Sequence, residues 1–322
     1  MSPPVTAAPP RRLWAAPSTA LVAAAVTVLL WASAFVGIRA VGADFSPGPL
    51  TLGRLLVGSI VLGGIVLIRG LVPPRGRELG FVALYGLLWF AGYNIALNAA
   101  EQSLDAGTAA MLVQIAPVIV AILAGVFLKE GFPPRLLGGS VVALLGAVII
   151  AAGSGTEHRI EFAGVLVCLL AGVLYAAGMV AQKPVLRTMP ALQATWLGCT
   201  VGMVACLPFG PALLTEVSQA SGGSILGLIY LGVFPTAVAF TTWAYALSRT
   251  PAGQLGAMTY LVPVVAAGMS WVLLAEVPPA LSFIGGALCL VGVALTRIRP
   301  RRERGRAPLT TSDEGETGVE RV

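Results

Sequence analysis

The chain has 322 residues, 57% of them apolar and only 11% charged, with a formal net charge of +6. A soluble domain carries about 25% charged residues, so a water-soluble globular protein is excluded. The positive excess needs no nucleic-acid partner, because its placement along the chain is that expected of membrane topology.

Ten apolar stretches follow one another, roughly 19–41, 50–68, 79–98, 107–128, 134–152, 162–182, 191–214, 224–247, 253–274 and 280–297. Each approaches the ~20 residues that cross a bilayer as a helix. Backbone groups in hydrocarbon must be paired internally, so these stretches predict helices. The alternating polarity of a lipid-facing barrel strand is not visible. The first stretch is longer than a signal-peptide core and runs into Arg39 rather than a cleavage site. It reads as a retained helix with Ser18 as N-cap. The four cysteines (Cys168, Cys199, Cys206, Cys289) lie inside apolar stretches without metal spacing, which suits small buried hydrophobes. The tails, 1–17 and 299–322, have a disordered composition, and the arginines from Arg297 to Arg306 are expected on anionic headgroups.

Lys and Arg set the orientation. With both termini in the cytoplasm, Arg69, Arg77, Lys129, Arg135, Lys183 and Arg249 all fall inside, and the outer loops hold only Arg159. The expected location is a bacterial inner membrane.

The chain also repeats itself. An interval of 146 residues carries Pro117 onto Pro263, Glu130 onto Glu276, Gly107 onto Gly253, Leu128 onto Leu274 and Gly146 onto Gly292, with no gap. Five helices per repeat is an odd number, so the second copy enters the membrane upside down. Inverted repeats are the usual architecture of secondary transporters, with the site near the midplane between the halves. The first helix of each half pairs more weakly: Trp31 to Arg39 sits against Tyr175 to Lys183, keeping an aromatic opener and a closing cation. Two five-helix units are expected at 18–153 and 160–298.

These features, together with the stretch from Pro117 to Phe127-Leu128-Lys129-Glu130 and its echo from Pro263 to Glu276, resemble the drug/metabolite transporter superfamily, in its ten-helix EamA type. The resemblance covers roughly residues 19–298. It implies an all-α membrane fold and a carrier that exports amino acids, metabolites or drugs, or carries nucleotide sugars. The chain departs from the family's usual first-helix motif at Ala32, where Gly is common, and at Arg39, where Lys is common.

Three groups of residues are candidates for transport. Pro117, Pro263 and Pro235 lie mid-helix, and each removes the bond to the carbonyl four residues earlier, that of Val113, Thr259 or Leu231. They read as hinges or as carbonyls lining a path; an ordinary kink repaired by neighbours is the alternative. Gln114 and Tyr260, equivalent under the 146-residue interval, each precede the repeated proline by one turn. They are expected to flank one cavity with Tyr93, Trp89 and Asn94 of the third helix and with Trp31 and Tyr175. Trp243 is near enough to a helix end to belong to an interfacial belt. Helix packing or interhelical hydrogen bonding is the alternative for the rest. Among charges, Glu130, Glu276 and Arg39 are candidates for gating or coupling, although a solvated cap suits the two glutamates as well. Arg39 and Arg54, near the outer ends of the first two helices, are expected to snorkel or to pair with Asp44, with a basic outer vestibule as the alternative.

No carboxylate lies deep in any stretch, and His158, the only histidine, is in an outer loop. Proton relays rest on such buried groups, so the expectation is downhill transport of a neutral or zwitterionic, partly apolar solute. A proton-coupled multidrug exporter using Glu130 and Glu276 is the alternative. An intramembrane enzyme lacks a serine–base pair or a zinc motif, and a channel lacks a recognisable selectivity ring. No cofactor or metal is called for. The partners are a small-molecule substrate and the bilayer. Gly138, Gly139, Gly285 and Gly286 suit either helix packing within one chain or a homodimer.

Overall fold

The computed structural model describes residues 18–74, 76–103, 109, 112–153, 162–274 and 280–297, and every regular element among them is helical. Apolar runs uninterrupted by charge become the long helices. The first, α1, spans Ser18–Val41, and α2 spans Pro47–Arg69, opening on a proline whose fixed φ suits a helix start. Next, α3 (Gly76–Tyr85) runs through a π-helical stretch, Gly86–Tyr93, into α4 (Asn94–Ser103). A 3₁₀ turn at Val113–Ile115 leads into α5 (Ala116–Phe127), and α6 spans Pro134–Gly153. In the second half, α7 spans Phe162–Val185 and α8 spans Ala191–Cys206, which a 3₁₀ turn joins to α9 (Gly210–Gln219). Then α10 (Gly222–Leu231) passes through a second π-helical stretch, Gly232–Val238, into α11 (Ala239–Arg249). Last, α12 (Ala252–Gly256) continues by a 3₁₀ turn, Ala257–Tyr260, into α13 (Leu261–Leu274), and α14 spans Ala280–Arg297.

Six helical runs among the described residues are long and apolar enough to cross a membrane: 18–38, 47–69, 76–102, 166–185, 191–219 and 222–249. The runs 113–127, 134–146 and 252–266 are apolar but shorter. Side chains are distributed as lipid solvation requires. Ile68, Leu67, Phe127 and Leu214 point outward, while Thr27, Arg54, Asn94, Asn98, Gln114 and Gln182 are buried. Polar groups that could not be solvated by hydrocarbon are kept against protein.

Helices meet through small residues, as membrane packing favours. A Cβ on Gly292 of α14 would stand 2.4 Å from the backbone nitrogen of Ala143 on α6. One on Gly178 of α7 would stand 2.5 Å from Trp89 Cβ, and one on Gly202 of α8 2.6 Å from Phe90 Cβ. The two π-helical stretches begin at Gly86 and Gly232, which are themselves 146 residues apart. Each glycine is pressed against the second helix of the opposite half: Gly86 against Val201 and Gly198 of α8, Gly232 against Val57 and Arg54 of α2. A widened helical turn there lets two backbones approach, and such turns gather at functional sites.

Candidate functional site

The site begins with proline chemistry. Pro117, Pro235 and Pro263 are all buried, and the carbonyls they release find new partners. Val113 O takes the N–H of Ala116 in the tight 3₁₀ turn. Leu231 O accepts the hydroxyl of Thr236 at 2.8 Å. Thr259 O accepts Gln114 Nε2 at 3.1 Å, so a side chain of the first half closes the gap made by Pro263 in the second. All three carbonyls are bonded rather than bare in the path.

Around this crossing lies a cavity of ≈ 60 Å³, about two waters at a liquid share of ~30 Å³ each. Its polar lining comprises Arg54, Asn94, Gln114 and Thr259. Its aromatic lining comprises Trp31, Trp89, Tyr93, Tyr175, Phe35 and Phe240. The rings lean on one another edge to face. Trp31 lies 6.2 Å from Trp89 and 6.3 Å from Tyr175, and Trp89 lies 5.1 Å from Phe240. Tyr93 joins through Tyr175 at 5.7 Å. This packing fixes the rings by edge-to-face attraction. Both Nδ2 hydrogens of Asn94 are committed to the carbonyls of Trp89 and Phe90, at 3.1 and 2.9 Å. What Asn94 has left to offer a solute is its carbonyl oxygen.

Of the residues expected from the sequence, Trp31, Trp89, Tyr93, Asn94, Gln114 and Tyr175 share this cavity. Tyr260 does not line it. It is fully buried against Ala121, Leu136, Ala143 and Ala257, and its neighbour Thr259 takes the lining position. Trp243 is also fully buried, 4.9 Å from Trp31, and so belongs to the core and not to an interfacial belt. Arg54 neither snorkels nor meets Asp44. It is 5% exposed and turned into the cavity, where a guanidinium at depth costs about 2.5–3.5 kcal/mol or more unless compensated. Asp44 instead accepts the N–H of Ser221 at 3.1 Å. Hydrogen bonds from Ser224 and Ser221 hold its carboxyl below the usual carboxylate range. Phe35 and Phe240 were not singled out from the sequence, and Thr259 only through its carbonyl; Phe240 stands one turn before Trp243, and that spacing was the available signal.

The two ends of the bundle differ. Where α1, α4 and the start of α2 meet, a vestibule of ≈ 310 Å³ lies against the cavity and shares Ile38 with it. Phe45, Asn98, Glu101 and Gln102 are in its wall. At the opposite end the helices are tied. Glu130 accepts the backbone N–H groups of Ala252 and Gly253, at 3.0 and 3.4 Å, at the start of α12. A left-handed turn at Lys129, φ 56°, brings Glu130 to that position. Lys183 donates to the carbonyls of Leu247 and Thr250 at the end of α11. Both contacts satisfy helix-terminal groups with charge of the favoured sign. The side chain of Arg39, and Glu276 altogether, lie outside the described residues.

No group of three or more His, Cys, Asp or Glu placed to hold a metal occurs among the described residues. The chain is similar to proteins of known family. The EamA-like transporter family model matches it twice, over residues 18–152 and 162–298. A Streptantibioticus cattleyicolor protein named as a probable terminal-alkyne amino-acid exporter is 38% identical, over 90% of this chain and 96% of its own. The transporter YdfC of Bacillus subtilis is 34% identical, over 87% of this chain and 91% of its own. A solved crystal structure with 22% identity has the same fold, with a TM-score of 0.75 over 88% of this chain and 99% of that one. With two family matches spanning nearly all its helices, the chain belongs to the EamA-like transporter family: it is a multi-pass membrane transporter of small molecules and not an enzyme.

Proposed function

We propose that the protein is a secondary transporter that exports a small, partly apolar metabolite, with amino acids and their derivatives as the first class to test. Ten spans form two inverted five-helix repeats, with both termini in the cytoplasm. The solute sits in the ring-lined cavity between the halves, and the halves rock about it in alternating access. The observation that carries this reading is the cavity's asymmetry: it adjoins a vestibule at one end and is tied at the other by Glu130. With the orientation set by Lys and Arg, that is an outward-facing state. Pro117, Pro263 and Pro235 are the hinges, because the bonds made by Gln114 and Thr236 can be exchanged without leaving a carbonyl bare. The name of the Streptantibioticus relative supports an amino acid with a terminal-alkyne side chain. A cavity this small, walled by ring faces, favours such a solute over a bulky drug.

Counterflow in proteoliposomes tests the proposal. Neutral amino acids are expected to exchange saturably at equal pH on both sides; flux that never saturates would indicate a channel. The contact of Glu130 with the second half favours one further reading, proton-coupled opening through Glu130 and Glu276. Transport whose pH dependence survives replacement of both by Gln rules that route out.

A further inference from the structure

One side chain of the cavity is not explained by aromatic recognition alone, and its role as a binding group rests on the proposed transport function. Arg54 stands seven residues after Pro47, about 10 Å along α2 at 1.5 Å per residue. It is buried and lines the cavity. Its Nε has no hydrogen-bond partner among the described residues. Its Nη2 makes one long contact, 3.5 Å, to Thr236 Oγ1, whose own proton is engaged by Leu231 O. A guanidinium offers five N–H donors, and here the Nε donor is buried without a partner while Nη2 has only this long contact. Trp89 Nε1, a second donor in the cavity wall, also lacks a partner there. Among the described residues, none of those lining the cavity is Asp or Glu. Glu101 stands in the wall of the adjoining vestibule. The second half holds no equivalent cation, since the residue 146 positions after Arg54 is Thr200.

We infer that Arg54 is the carboxylate-binding residue of the cavity, and that the transporter selects solutes by a free carboxylate while the amino group is dispensable. A carboxylate taken side-on fills adjacent donors of the guanidinium and neutralises it in one step. The short apolar or unsaturated remainder of the solute then lies against the rings of Trp31, Trp89 and Tyr175. Selection by carboxylate also explains why a cation is kept at this depth although it has no acidic partner among the described residues that line the cavity.

The test is competition against counterflow of L-leucine and of L-propargylglycine by three relatives of each: the amino acid itself, the amine lacking its carboxyl group, and the acid lacking its amino group. The amino acid and the des-amino acid are expected to compete within a few-fold of one another, and the amine about thirtyfold or more weakly. Arg54→Gln is expected to lose both carboxylates by a similar factor, and Arg54→Lys to recover part of the loss. Quenching of tryptophan fluorescence by the same compounds in detergent gives a readout independent of flux. Should Arg54→Gln fail to fold, the wild-type ranking of carboxylate against amine decides alone. An amine that competes as well as its amino acid overturns the inference and leaves the transport role standing. Absence of saturable exchange for every solute overturns both. Glu101→Gln is expected to tighten carboxylate competition; a loss as large as that of Arg54→Gln would make Glu101 the permanent partner of Arg54 and overturn the inference.

Discussion

The two halves of the molecule agree in backbone and differ in side chain. Both break their third helix into a π-helical stretch at a glycine, Gly86 or Gly232, and both press that glycine onto the opposite half. Both interrupt a later helix with a 3₁₀ turn before a repeated proline. Yet Gln114 reaches across to Thr259 O, whereas Tyr260, its equivalent, is buried in a separate apolar cluster. Arg54 enters the cavity while Thr200 stands at the matching place in the other half. The backbone carries what both halves must do alike, which is to bend and to pack. The side chains carry recognition, which needs only one copy.

Matched substitutions put this comparison under the greatest load. Gly86→Leu and Gly232→Leu each drive side-chain atoms into backbone of the opposite half, and each is expected to cost about 3 kcal/mol. Thermal unfolding in detergent should show both falling together. A fall in only one would mean that the halves do not share this packing. Gly64→Ala, with open space around its Cβ, is the neutral control.

Gln114→Leu leaves Thr259 O without its side-chain donor, at an expected cost of about 1–2 kcal/mol. It should also weaken counterflow, whereas Tyr260→Phe should leave exchange unchanged. Equal effects on exchange would place Tyr260 back at the site. Glu130→Ala uncaps Ala252 and Gly253 and is expected to cost about 1 kcal/mol. Its sharper effect is on access: a cysteine introduced near Thr250 should label faster from the tied end in Glu130→Ala than in the parent.

The smallest effect concerns Asp44, in the link between α1 and α2. Its carboxyl is held below the ordinary value of 3.8 by Ser224 and Ser221. Its contribution is therefore present above that value and is lost as pH falls below it. Asp44→Asn should flatten a small acid-side decline in thermal stability and change nothing at neutral pH.

Much of this was legible in the residues. The long apolar runs predict helices because hydrocarbon permits no unpaired backbone. The repeated prolines mark the positions where helices later break. The aromatic openers Trp31 and Tyr175, with Trp89, Tyr93, Asn94 and Gln114, point to one cavity, and the structure gathers them there. The π-helical stretches were not legible, because shifting a bond by one residue leaves no mark in composition. Nor was the direction of Arg54: a helix that is apolar all round does not reveal which face meets protein.

Composition and periodicity alone, then, determined that this is a helical membrane protein built twice, since the cost of burying backbone in lipid depends only on the local run of residues. Which carbonyl each proline-broken helix would lend to a neighbour, which tyrosine would turn away, and which arginine would face the solute were decided only by packing. Those outcomes depend on helix rotation, and rotation is set by small residues on partner helices far away in the chain, such as Gly178 beneath Trp89 and Gly202 beneath Phe90.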